Sequence, residues 1–126
     1  MACEQLTPQG QYRAWAYQMI PEDSRLLTWG PGAESLRLSM WTDSPVAISN
    51  GRTLEGEQIR EVIFFRNAGL IRARVSEDVS PGNRLYSGSG GVIISHPPMI
   101  GPPSFGLALT AASAGEHAKI YIGVIT

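Results

Sequence analysis

Turn-forming residues recur along this chain at short intervals. Its 126 residues include fourteen glycines and nine prolines, which leave only brief apolar runs between them. Both residues are unfavourable inside helices but common in the turns that join short strands. No long amphipathic helical pattern is present. The sequence therefore predicts an all-β fold, a compact β-barrel or sandwich of short antiparallel strands with an extended N-terminal arm.

Alternation of apolar and polar residues marks individual strands. Residues 61–65 and 70–75 flank a turn at 66–69, which predicts a β-hairpin. In the second strand, alternate side chains are expected to point inward (Ile71, Ala73 and Val75) and outward (Arg72 and Arg74). The closing strand alternates in the same way, with Ala118, Ile120 and Ile122 on one face and His117, Lys119 and Tyr121 on the other.

The first 35 residues differ from the rest, and we predict two segments. Residues 1–35 form an N-terminal arm or irregular segment, and residues 36–126 form the β-barrel or sandwich domain. The first segment holds aromatic residues with little alternation, among them Trp15, Tyr17 and Trp29. Such a segment either packs on a partner outside its own domain or covers the β core. Both interpretations stay open at this stage.

Composition excludes several classes of function. The chain is 43% hydrophobic and 17% charged, with a net charge of -1, so it is expected to fold and to lack nucleic acid as a main partner. Cys3 is the sole cysteine, which rules out an intrachain disulfide and a thiolate metal site. No apolar run approaches the roughly 20 residues that cross a bilayer. No secretion signal pattern is recognisable, so synthesis in a reducing cytosol is expected.

Catalytic and cofactor motifs are also weak. The glycine-serine run at 87–91 lacks the following helix and the lysine that a phosphate-binding loop requires, which predicts a hairpin loop between residues 84–86 and 92–94. His96 and His117 do not have the spacing of metal ligands, and no strand-turn-helix elbow presents a serine. We therefore predict no enzyme, no cofactor and no metal. A small β-barrel enzyme that depends on His96 or His117 is kept as an alternative, behind the two functions described below.

Residues 96–103 are unusually rich in proline, with four prolines in eight residues. Proline fixes an extended backbone that loses little entropy on binding, and here it would expose Met99 and Ile100. The segment is either a rigid loop laid against a partner or a stiff connector between two strands.

The last fifty residues resemble a known family. Residues 75–86, VSEDVSPGNRLY, and 105–120, FGLALTAASAGEHAKI, resemble two conserved units of the tailed-phage head decoration, or capsid cement, proteins. In that family, the glycine turn after the small residues leads into the last strand of a compact β-barrel or sandwich. The resemblance covers about residues 75–126. The chain departs from the family in its loop at 87–91 and in its longer proline segment.

The resemblance implies a structural function without catalysis. Proteins of this family bind the outer surface of a phage head, bridge major capsid subunits and stabilise the expanded shell. Membership would imply a virion protein made in the host cytoplasm, a homo-oligomer with a trimer as the first expectation and a dimer as the second, with no membrane partner. Exposure-prone apolar residues are the predicted interface: Trp15, Tyr17, Trp29, Pro97, Pro98, Met99 and Ile100. The alternative is a carbohydrate- or receptor-binding β module with Trp15, Trp29 or Trp41 as a stacking platform.

Overall fold

The computed structural model describes residues 14–32, 34–60, 62–67, 69–96 and 103–125. These residues form two β-sheets, one of them curled into a half-barrel, so the predicted all-β fold is confirmed. Two short 3-10 turns lie at Phe65–Asn67 and Ser89–Gly91. Within the described residues, no helix is both long and apolar enough to cross a membrane. The strands are β1 (Trp15–Ala16), β2 (Leu26–Trp29), β3 (Ser35–Leu38), β4 (Ala47–Ser49), β5 (Val62–Phe64), β6 (Leu70–Arg74), β7 (Arg84–Ser87), β8 (Ile93–Ile94), β9 (Ser104–Ala108) and β10 (His117–Ile125).

The first sheet has the strand order β1-β3-β2-β4-β5. Its neighbouring strands are antiparallel except for β1 and β3, which run parallel. Two isolated bridges, Trp15 to Gln58 and Ile20 to Thr53, attach the segment 53–58 to the free side of β1. This attachment continues the hydrogen bonding beyond β1, so the β1 edge is covered rather than open.

The second sheet has the order β6-β10-β9-β7-β8, and all of its pairs are antiparallel. The long closing strand β10 lies between β6 and β9. Strands β7 and β8 pair around the loop at 87–91, as predicted from the sequence.

The predicted hairpin of residues 61–65 and 70–75 is wrong. Strand β5 pairs with β4 in the first sheet, whereas β6 pairs with β10 in the second. The 3-10 turn at Phe65–Asn67 carries the chain from one sheet to the other. Ile63 and Ile71 consequently meet in one core from opposite sides. The predicted inward positions of β6 are confirmed, since Ile71, Ala73 and Val75 are buried.

Two apolar clusters of the described residues hold the fold together. The larger one contains residues of both sheets, such as Leu26 and Ile48 from the first and Leu85 and Ile120 from the second. The other cluster packs on the opposite face of the first sheet and includes Leu27. Full burial of each large aliphatic side chain contributes about 2 kcal/mol. The first sheet is therefore stabilised from both faces.

The predicted arm needs a correction at residues 14–35. Within this range lie β1 and β2, and β2 is the central strand of the first sheet. Leu26 and Leu27 are both fully buried, one in each apolar cluster. A strand covered on both faces shows consecutive apolar residues instead of alternation, and for this reason the sequence pattern looked irregular. Residues 1–13 lie outside the described residues, so an arm there stays a prediction.

Candidate partner-binding surface

The three aromatic residues predicted for the interface lie at the surface. The exposed fractions of Trp15, Tyr17 and Trp29 are 42%, 52% and 47%. Side chains of this size are usually buried, and aromatic residues are enriched where proteins contact one another. All three side chains are therefore accessible to a partner in this structure.

These aromatic residues do not form one surface. In the parallel pair of β1 and β3, Ala16 lies opposite Leu36, and Trp29 of β2 lies opposite Leu36 from the other side. Residues opposite each other point to the same face of a sheet, so Trp29 shares the face of Ala16. Trp15 and Tyr17 flank Ala16 and point to the other face. We call Trp15 and Tyr17 the edge aromatic pair.

Hydrogen bonds fix the backbone of the edge aromatic pair. The Trp15 amide donates to the Glu34 carbonyl at 2.8 Å, and the Tyr17 amide donates to the Leu36 carbonyl at the same distance. Tyr17 packs over Gly30, where an added Cβ would lie 3.4 Å from the Tyr17 Cβ atom. Trp15 on β1 and Tyr17 directly after it are thus both presented from a hydrogen-bonded backbone, which lowers the entropy lost on binding.

A polar cavity adjoins Trp15. It has a volume of about 320 Å³ and is lined by Trp15, Glu57, Gln58 and Arg60. The exposed ring therefore lies beside a carboxylate, an amide and a guanidinium group. This combination suits contact with a protein, because the ring can be buried while the polar groups form hydrogen bonds or ion pairs.

Trp29 has a structural role in addition to its exposure. Its ring stacks on Phe64 with the ring centroids 5.9 Å apart and the planes at 27°. Phe64 belongs to the apolar cluster on that face of the first sheet. Trp29 therefore covers the cluster with one side of its ring and presents the rest to solvent.

The proline-rich part of the predicted interface cannot be placed. Pro97, Pro98, Met99 and Ile100 lie outside the described residues, and their role stays a prediction. The residues just before them, Ser95 and His96, contact Glu77.

The Glu77 Oε1 atom accepts hydrogen bonds from the Ser95 amide at 2.7 Å and the Ser95 hydroxyl at 3.1 Å, and it lies 3.2 Å from His96 Nδ1. Burial raises the pKa of Glu77, but these hydrogen bonds and the charge of His96 outweigh burial and hold the pKa below its usual value.

Each histidine lies beside a carboxylate. His96 Nδ1 is 3.2 Å from Glu77 Oε1, and His117 Nε2 is 3.6 Å from Asp23 Oδ2. Asp23 also binds Arg74 at 3.0 Å. Burial raises the pKa of Asp23, but the charge of Arg74 and several hydrogen bonds hold it below its usual value. The Asp23 group joins the loop before β2 to the second sheet. Among the described residues, no cluster of three histidine, cysteine or acidic side chains could hold a metal ion.

The glycine-serine loop is explained by packing. Gly91 has a φ of +80°, and a Cβ on it would lie 2.5 Å from the carbonyl oxygen of the buried Leu26. Arg25 donates from Nη1 to the Gly90 carbonyl at 2.8 Å. The glycines therefore let the loop approach the first sheet closely, which is a structural reason for their presence.

Several exposed apolar residues were not part of the predicted capsid interface, although Trp41 was named for the carbohydrate-binding alternative. They are Met19, Met40, Trp41, Leu54, Leu70, Leu109 and Tyr121, each more than two-fifths exposed. The alternation in the closing strand had placed Tyr121 outward, but no pattern showed that Leu70 is its neighbour across the strands.

Comparison with known proteins finds similarity among solved structures. No protein-family model matches the sequence, and no curated protein matches it. Among solved structures, the chain is similar to the N base of the head fiber gp8.5 of bacteriophage phi29. The TM-score is 0.68, with 19% sequence identity over 89% of this chain and 92% of that chain. At this identity the similarity establishes a shared fold.

Proposed function

We propose that this chain is a structural protein of a phage head, without enzymatic activity, which attaches to the outer surface of the head. The observation that carries the proposal is the fold shared with the base of a phage head fiber over nearly the whole chain. The motifs of residues 75–86 and 105–120, which resemble head decoration proteins, support it independently. Both observations support an association with the phage head.

In its finer form, the proposal assigns the chain a cement function. The chain binds the major capsid protein and bridges neighbouring subunits, and it assembles as a homo-oligomer, with a trimer favoured over a dimer. A protein that binds only the expanded shell stabilises that shell through mass action, and many copies multiply the effect. An interface of about 800 Å² for each partner is sufficient for specific binding.

The edge aromatic pair is our first choice for the contact with the capsid. Trp15 and Tyr17 are exposed, yet their backbone is fixed by hydrogen bonds to Glu34 and Leu36. Aromatic side chains held in this way commonly account for 2 kcal/mol or more, as an order of magnitude, of the binding energy at the centre of an interface. Trp29, on the other face, would contact a different neighbour.

Co-sedimentation with heads tests the proposal. Purified protein is mixed with expanded heads that lack it and with unexpanded proheads, both from the phage that encodes the chain. We expect saturable binding to expanded heads and a higher temperature of head disruption after binding. Binding to neither particle would refute attachment to the head. Binding to both with no change in disruption temperature would refute the cement function while retaining attachment.

The carbohydrate- or receptor-binding alternative is tested in parallel on a glycan array. Trp15 and Trp29 lie on opposite faces of the first sheet, so a stacking platform would use one of them at a time. Saturable binding to a sugar, together with no binding to heads, would replace the proposed function with this alternative.

A further inference from the structure

The strands of the second sheet carry basic residues and no acidic ones. Arg72 and Arg74 lie on β6, Arg84 on β7 and Lys119 on β10, whereas the five strands contain neither aspartate nor glutamate. The whole chain has a net charge of -1, so this concentration of positive charge is local.

The basic residues share the outer face of this sheet with apolar ones. Lys119 lies opposite Arg72, and Tyr121 lies opposite both Leu70 and Leu107. Leu107 in turn lies opposite Arg84. The residues between them in sequence, such as Ile71, Leu85 and Ile120, are buried in the core. We call the outward set the cationic face: Leu70, Arg72, Arg84, Leu107, Lys119 and Tyr121.

Tyr121 has a defined position at the centre of this face. Its ring lies over Gly123, where an added Cβ would meet the ring at 3.0 Å. The ring nevertheless remains 46% exposed, and Leu70 beside it is 52% exposed. An ordered aromatic side chain next to an exposed leucine provides an apolar anchor, with Arg72, Lys119 and Arg84 around it.

The charges on the cationic face have no partners within the described part of the chain. Arg25, Arg37 and Arg74 form ion pairs there, but Arg72, Arg84 and Lys119 form none. Other carboxylates have different partners, since Asp23 pairs with Arg74 on β6, Asp78 accepts a hydrogen bond from the Ala114 amide and Glu116 accepts one from the Ser113 amide.

The arrangement also has an energetic cost in the free protein. Arg72 and Lys119 are directly opposite each other on neighbouring strands, and like charges in this position destabilise a sheet. Carboxylates of a partner placed between them would relieve the repulsion and gain ion pairs at the same time.

We propose that the cationic face is a docking surface for a carboxylate-bearing protein surface. Leucine and tyrosine at its centre favour a protein over a nucleic acid, because protein interfaces combine an apolar core with a polar rim, whereas phosphate binding is dominated by charge. The inference rests on the proposed function only in placing that protein surface on the phage head.

Charge-reversal variants test the inference on heads. Arg72→Glu and Lys119→Glu are compared with Arg52→Glu, which makes the same change of charge at an exposed site of the segment between β4 and β5. Arg72→Glu places a carboxylate opposite Lys119, so its fold is expected to be retained. We expect the dissociation constant for expanded heads to rise at least about tenfold for both reversals and less than about twofold for Arg52→Glu. Arg72→Lys, which keeps the charge, should bind nearly as the original chain does.

A second experiment does not use heads. Retention of the original chain on immobilised poly-L-glutamate should exceed that of Arg72→Glu and Lys119→Glu, and a 20-base-pair DNA duplex should not bind more tightly than poly-L-glutamate. If the original chain fails to bind heads but shows this difference, the proposed function fails and the inference stands. The inference would be overturned if the two charge reversals bound as Arg52→Glu does both to heads and to poly-L-glutamate. Tighter binding of the duplex than of poly-L-glutamate would also overturn it.

Discussion

The substitution Gly91→Ala tests whether the loop at 87–91 holds the two sheets together. Gly91 lies in the second sheet's hairpin loop and approaches the backbone of Leu26 in β2. Leu26 is fully buried in the apolar cluster that residues of both sheets form. Neither the loop nor β2 can therefore move freely to make room for a methyl group.

The expected loss of stability has two parts. A residue with a Cβ at a φ of +80° costs about 1–2 kcal/mol relative to glycine. The new Cβ would lie 2.5 Å from the Leu26 carbonyl oxygen, and removing this overlap in a packed interior costs about a further 1–3 kcal/mol. The sum, about 2–5 kcal/mol, is a large share of the roughly 5–15 kcal/mol that stabilises a domain.

Gly115→Ala is the matched control. Gly115 has a φ of +89°, but no atom lies within 4 Å of the place where its Cβ would be. It should therefore show the backbone cost without the overlap. The free energy of unfolding is measured for both variants by urea denaturation, followed by tryptophan fluorescence. If the two variants lose the same stability, the close approach of Gly91 to β2 contributes nothing and the reasoning is wrong.

Two further predictions concern the edge aromatic pair and an ion pair. Replacing Trp15 and Tyr17 together by alanine should weaken binding to expanded heads at least about tenfold, with little change in melting temperature. The control Trp41→Ala removes an equally exposed tryptophan and should leave binding unchanged. A partly unfolded double variant would show instead that the pair supports the fold. Hydrogen bonds from Arg37 at 2.8 and 3.1 Å hold the pKa of Asp43 in the folded protein below its usual 3.8. The stabilisation that this pair contributes is therefore present above that pH and is lost as the pH falls through the pKa of Asp43 in the folded protein. The free energy of unfolding of Asp43→Asn, measured by urea denaturation, should therefore be lower by about 1 kcal/mol near pH 7. Between about pH 5 and pH 2 it should fall less than that of the original chain. Parallel curves of unfolding free energy against pH for the two proteins would contradict a contribution from Asp43.

Local sequence patterns determined the fold class and the direction of many side chains. Short runs between glycines and prolines indicated strands, and the structure is all-β. The alternation in β6 and β10 correctly predicted that Ile71 and Ile120 are buried while Arg72 and Lys119 are exposed. These features depend on residues two apart in the chain, so a linear pattern contains them.

The tertiary structure alone decided which strands are neighbours. Strands β5 and β6 are close in sequence but lie in different sheets, and the double burial of Leu26 and Leu27 removed the alternation that would have marked β2. The separation of Trp15 from Trp29 follows from the parallel pairing of β1 with β3, and the cationic face follows from the contact of β10 with β6 and β9. A strand's sequence specifies which of its sides is apolar. Which strand lies beside it depends on how all the apolar faces are buried together, and that is a property of the whole chain.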